Sequence, residues 1–181
     1  MTRLLLSLLL VFAFIPQAFC SSDMQSGDRK SFRASDGASI DAIIGALYAC
    51  VSGPAGPRDW KRFQALFIPD ARLEAVIWRG EGDLSLRVFS VEEYTRRAGE
   101  YFKTNGFYEK EIARKVDTFG SIAQVFSTYE GFASVDAPVP LKRGINSMQL
   151  FNDGNRWWIV SILWEDERQG VSIPSEYLPG G

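Results

Sequence analysis

Histidine is absent from the 181 residues of this chain, which removes several chemistries at once. A histidine general base, a Ser-His-Asp or Cys-His nucleophile system and any metal site built on imidazole are excluded. Cys50 lies beside a helical apolar stripe and reads as a buried structural thiol rather than a nucleophile. The acid–base option left is a carboxylate in an apolar pocket that moves a proton while a Tyr, or a protonated acid, binds the developing oxyanion. Tyr48, Asp117, Tyr129, Glu130 and Glu165 are the right residue types, yet with 22 acidic residues in the chain a carboxylate near a pocket is not evidence by itself, so no catalytic residue is assigned. The consecutive acids Glu165-Asp166-Glu167 alternate sides in a strand and cannot converge on a cation. No metal and no cofactor is expected.

A binding site is the other option. Arg114, Ser127, Tyr129, Asn146, Trp157 and Ser161 fall where strand alternation places side chains on one sheet face, giving an aromatic wall, two or three donors and an anion-binding Arg. The plainer reading makes Asn146 and Ser161 a cross-strand polar pair and Tyr129 a core residue. A register error of one residue would move the whole set to the other face.

Two hairpins must carry these side chains. Residues 143–167 read as strands folded over Asp153-Gly154, since Gly accepts the positive φ of a two-residue turn. Leu150 then faces Trp157, Met148 faces Ile159 and Asn146 faces Ser161. Trp158, Val160 and Trp164 share the opposite face with Gln149, Ser147 and Arg143. Both faces are largely apolar, so this sheet must be covered twice, and Trp158 and Trp164 suit a dimer interface. The second hairpin runs from Tyr108 to Phe119, turns at Gly120-Ser121 and returns over Ile122 to Val135. It sets Arg114 opposite Ser127, Val116 opposite Val125 and Ile112 opposite Tyr129.

Upstream, Ile40, Ile43, Ile44, Leu47 and Val51 recur at helical spacing after Asp36 and Ser39, predicting a helix from about 39 to 52. Asp59 can cap a short helix carrying Trp60, Phe63, Leu66 and Phe67. Strands follow at Arg72–Trp78 and Ser85–Phe89, then Ser90-Val91-Glu92-Glu93 opens a third helix with Tyr94, Ala98, Tyr101 and Phe102 on its apolar face. Helices gathered early and antiparallel strands gathered late indicate an α+β domain.

The Leu66-Phe67-Ile68-Pro69-Asp70-Ala71-Arg72 corner, the Phe119 to Glu130 segment and the Arg143 to Asp166 hairpin resemble the nuclear-transport-factor-two-like superfamily, among SnoaL-like or uncharacterised secreted bacterial members. The resemblance covers roughly residues 38 to 168. It implies a cystatin-like roll: a strongly bent antiparallel sheet wrapped as a cone around about three helices, a pocket inside, and often a homodimer through the outer face of the sheet. Such folds host isomerases, dehydratases, hydrolases and binding modules, so they do not choose a reaction.

The first residues bound the setting. Met-Thr-Arg, an apolar run from Leu4 to Ile15 and Pro16 to Ser21 form a secretory signal peptide ending at residue 20, followed by a solvated leader over 21–37 and, after the domain at 38–168, a tail over 169–181. The chain is then periplasmic or secreted, with no stable membrane span after cleavage. Phe19 and Gln17 fit a lipobox at Cys20 poorly. No basic run suggests nucleic acid. The leading expectation is an exported domain binding a small, partly apolar molecule. A cofactor-free acid–base enzyme using a pocket carboxylate and a Tyr, or a protein-interaction module, are the alternatives.

Overall fold

A computed structural model describes residues 33–80 and 82–181; the expected signal peptide, Cys20 and most of the leader lie outside the described residues. Three helices form where capping side chains meet apolar periodicity. Helix α1, Ile40–Val51, begins with the Ser39 hydroxyl accepting from the Ala42 amide at 3.0 Å. Helix α2, Trp60–Gln64, is capped by Asp59, whose carboxylate accepts from the Arg62 amide at 3.0 Å. Helix α3, Val91–Phe102, is capped by Ser90, which accepts from the Glu93 amide at 3.1 Å. Each cap satisfies an orphan donor and contributes on the order of 1 kcal/mol.

Six strands build one curled sheet: β1 Phe67–Trp78, β2 Leu84–Ser90, β3 Tyr108–Phe119, β4 Ile122–Phe132, β5 Lys142–Asn152 and β6 Trp157–Asp166, in the order β2-β1-β6-β5-β4-β3. The expected α+β class and cone stand, but the sheet is mixed rather than wholly antiparallel, because β1 runs parallel to β6. A kink opens β1, where Asp70 adopts φ 62°, a left-handed conformation that Asp tolerates better than most residues. That kink lies in the corner that carried part of the family resemblance.

Ile43, Ile44 and Leu47 of α1 close one part of the cone against inward Val125, Met148, Leu150 and Ile159, all nearly inaccessible. Each such side chain contributes ~1.5–3 kcal/mol by leaving water. Cys50 is buried in this core, and burial pushes its thiol up to about 11, as expected of a structural cysteine.

Both ends of the domain are tied down. Ala34–Gly37, within the stretch expected to be a solvated leader, is a 3-10 turn in which buried Asp36 accepts two hydrogen bonds from Arg62, at 2.7 and 2.9 Å. The tail folds back on the outer face of the sheet: the Thr128 hydroxyl donates to the Tyr177 carbonyl at 2.6 Å, and the Tyr177 and Phe126 rings are 5.4 Å apart.

Candidate functional site

The register of the sheet decides which side chains enter the cone, and two single-residue bulges set that register. In the β3–β4 pair, Arg114 opposes Ser127 and Val116 opposes Val125 as expected, but Glu111, not Ile112, opposes Tyr129. Ile112 is the extra residue. Because side chains alternate, this insertion turns Glu109 and Glu111 inward, onto the face that already holds Arg114.

The β5–β6 hairpin departs from expectation twice. Its turn is four residues long, with Asn152 opposite Trp157. The Asp153 carboxylate accepts from the Asn155 and Arg156 amides at 2.8 and 2.9 Å and from the Trp158 indole at 2.9 Å, so its side chain organises a wider loop than a two-residue turn. Leu150 then opposes Ile159 rather than Trp157. A bulge at Val160 follows, after which Gln149 opposes Ser161, Met148 opposes Ile162 and Asn146 opposes Trp164. Trp164, expected on the outer face, is thereby carried inside.

The result is a cavity of about 630 Å³ beside the filled part of the cone. Its walls include Leu47, Phe63, Tyr94, Phe102, Ile162 and Trp164. Edge-to-face contact between Tyr94 and Trp164, centroids 6.1 Å apart, and stacking of Tyr94 on Phe63 at 5.4 Å hold the aromatic side together.

Two polar systems enter this apolar space. Arg114 donates to Glu111, and the Ser127 hydroxyl also donates to Glu111, both at 2.5 Å. With its proton committed there, Ser127 accepts from the Tyr48 hydroxyl, 2.7 Å away, and Tyr48 in turn accepts from the Asn146 amide nitrogen at 3.1 Å. The same amide nitrogen reaches Glu109 at 3.4 Å, so the chain of bonds ends on a carboxylate facing the cavity. The second system spans three strands: Tyr129 on β4 donates to Asp166 on β6 across Gly144 on β5, and Lys142 lies 3.5 Å from Asp166.

Burial is the largest influence on Glu109. It raises the carboxyl from 4.5 to about 7, against the lowering effect of the Lys142 charge and the Asn146 hydrogen bond. Glu109 is half-buried and lines the cavity beside Asn146, Lys142 and Asp166. Burial, then the Glu109 charge, also raises the Tyr48 and Tyr94 hydroxyls. Tyr129 is raised by burial and then by its Asp166 partner.

The candidate ligand set divides on this geometry. Tyr129 and Asn146 line the cavity. Ser127 is fully buried and reaches it through Tyr48. Arg114 is spent on Glu111 and Asp41 and does not line the cavity. Trp157 packs on the core beside it, and Ser161 faces outward opposite Gln149, so neither joins the lining. Sequence reasoning missed Glu109, Tyr94 as a polar group, Trp164 and Asp166. Tyr94 was legible only as an apolar-face residue; the other three were hidden by the bulges. Among the expected carboxylates, Glu165 pairs with Arg168 at 2.9 Å and Glu130 with Lys110 at 3.4 Å, while Asp117 opposes Gln124 on the outer face; none lines the cavity.

No family model matches the chain, and no curated protein does. Solved structures do. A protein of unknown function with a cystatin-like fold from Nostoc punctiforme superposes with a TM-score of 0.54 at 12% identity, covering 71% of this chain and 88% of that one. An NTF2-like protein of unknown function from Pseudomonas putida gives 0.53 at 15% identity, over 70% and 82%. The beta subunit of a candidate aromatic-ring-hydroxylating dioxygenase from Novosphingobium aromaticivorans gives 0.55 at 13% identity, over 77% and 92%. The chain thus has the NTF2-like, cystatin-like fold that its sequence resembles.

Proposed function

We propose that the chain binds a small, partly apolar molecule inside the cone and moves a proton on it without a cofactor, Glu109 acting as the base. The observation behind this reading is a carboxylate lining a cavity with aromatic walls; burial there pushes it up to about 7, the range in which a general base is most effective. Four tyrosines line the cavity with it: Tyr48, Tyr94, Tyr129 and the half-exposed Tyr101. Tyr48 spends its proton on Ser127 and Tyr129 on Asp166, whereas Tyr94 has no hydrogen-bond partner among the described residues and feels the Glu109 charge. Tyr94, which stacks inside on Phe63 and Trp164 while Tyr101 is half exposed, is the donor for a ligand oxygen beside Glu109.

With a carbonyl ligand, Glu109 takes a proton from the carbon next to the carbonyl. The C–H electron pair becomes the enolate double bond, the carbonyl pair moves to oxygen, and the Tyr94 O–H stabilises that oxygen. Return of the proton to the same or another carbon leaves the carboxylate as it began.

β-Tetralone in D₂O at pH 7 tests this. The protein is expected to accelerate exchange of the ketone's α protons, Glu109→Gln to reduce that acceleration by about a hundredfold or more, and Tyr94→Phe to reduce it less. A bound ketone whose exchange is unaccelerated would leave binding alone; absence of binding would remove both.

The homodimer implied by the resemblance is proposed to use the outer surface of β2, because the tail lies against outward residues of β4 and beside Val76 of β1 and Leu163 of β6. Leu84, Leu86 and Val88 are exposed there. The protein should sediment as a dimer at micromolar concentration and Leu86→Asp as a monomer. A monomeric wild-type protein would refute the pairing.

A further inference from the structure

We propose that the ligand is an amphipathic monocarboxylate whose carboxylate docks on Arg87 at the rim of the cavity, its apolar body running along Ala75 and Trp164 toward Asn146. This names the ligand class for the pocket just described and rests on that binding reading.

Three cations line the cavity, Arg87, Arg97 and Lys142. Two have their charge answered within the protein: Arg97 by Glu93 at 2.9 Å and Lys142 by Asp166 at 3.5 Å. Arg87 has no ion pair or hydrogen bond among the described residues, although its side chain lies on the inward face of β2 with Phe89. Directly opposite it stands Ala75, too small to cover a guanidinium. Arg97, paired with Glu93, lies over the Phe89 ring at 5.7 Å and leaves Arg87 as the uncompensated charge of this rim. A planar guanidinium with open donors matches a carboxylate through two parallel hydrogen bonds.

The strand register then gives the ligand its length and character. Arg87, Ala75, Trp164 and Asn146 form one cross-sheet row, each opposite the next on β2, β1, β6 and β5. Three strand spacings separate its ends, roughly 14 Å along the sheet. The row beside it is Phe89, Leu73 and Ile162. An anion at one end, an apolar floor and a hydrogen-bonding group at the other describe a medium-length amphiphile with one charged head. Acetate is too short to span this trough, and a cation meets the wrong charge at its rim.

Calorimetric titration of the full chain with decanoate, decanol and decylamine at pH 6 tests the assignment. Decanoate is expected to bind about tenfold tighter than decanol, the scale of a hydrogen-bonded charge pair, and Arg87→Gln should bring the ratio of the two affinities close to one. Equal binding of decanoate and decanol to the wild type, tighter binding of decylamine, or an unchanged ratio in Arg87→Gln overturns the carboxylate head while leaving an apolar pocket. If none of the three binds, the pocket reading itself fails and this assignment with it. Circular dichroism of Arg87→Gln, an exposed position, separates a lost preference from lost folding.

Discussion

Glu109→Gln is expected to be more stable than the wild type at pH 8 by up to about 3 kcal/mol, and equally stable at pH 4. The sign follows from proton binding. The folded wild type holds the Glu109 proton up to about pH 7, whereas the unfolded chain releases it near 4.5. Between those values the folded state binds more protons, so stability falls as pH rises, by roughly 1.4 kcal/mol for each unit of the difference. Above pH 7 the full cost of burying the charge is present. Gln keeps an acceptor for the Asn146 amide and carries no charge, so its stability curve lacks this slope. Asp36 and Glu167, whose carboxyls Arg62 and Arg143 hold below the usual range, contribute stability that is lost in acid, but equally in both proteins. Urea denaturation from pH 4 to 8 reads the difference directly. Parallel curves would mean a hydrated carboxylate and would deprive the proton-transfer reading of its base.

The second large effect concerns Gly144. A Cβ built there would stand 2.4 Å from the Glu165 carbonyl oxygen and 2.6 Å from the Tyr129 hydroxyl. No rotamer change relieves the first of these contacts, because it is backbone. The close approach is what lets the Tyr129 ring lie across β5 and its hydroxyl reach Asp166 two strands away. Gly144→Ala should therefore cost about 2–4 kcal/mol, at the upper end of overpacking, and displace Tyr129 from the cavity wall. Tyr129→Phe removes the hydroxyl at an unchanged backbone and should cost less, since only the bond to Asp166 is lost. Chemical denaturation of both variants checks the order. A Gly144→Ala protein as stable as wild type would show that β5 and β6 can part at this point, contrary to the rigidity assumed for the site.

Glu109→Gln is expected to gain stability while losing the proposed proton transfer, which would be the mark of a group kept at an energetic cost. Gly144→Ala loses both, as expected of a position that supports the site without touching a ligand.

Local chemistry made the elements legible from the residues alone. Asp59 and Ser90 cap the helices that follow them, and of the two candidates Asp36 and Ser39 it is Ser39 that caps α1, because a side-chain oxygen three residues before an amide satisfies a bond the helix cannot. Gly120 turns the β3–β4 hairpin with φ 55° and sets Phe119 opposite Ile122, as the Gly-Ser pair predicts. Tyr129 and Asn146 were found by alternation, which holds over short distances from a known pairing.

The interior of the cone was settled elsewhere. Ile112 and Val160 are ordinary strand residues, and nothing in their neighbours marks them as inserted. The extra residue is accommodated by the curl of six paired strands and by what each inward position must fit. Since side chains alternate with a period of two, each bulge inverts every facing beyond it. One brings Glu109 and Glu111 inside; the other exchanges Ser161 for Trp164 and Asp166. The residue pattern thus determined the strands and helices, and with them Tyr94 on the apolar face of α3, while the acid and the indole that face it were chosen by register, a property of pairs of strands that neither strand contains by itself.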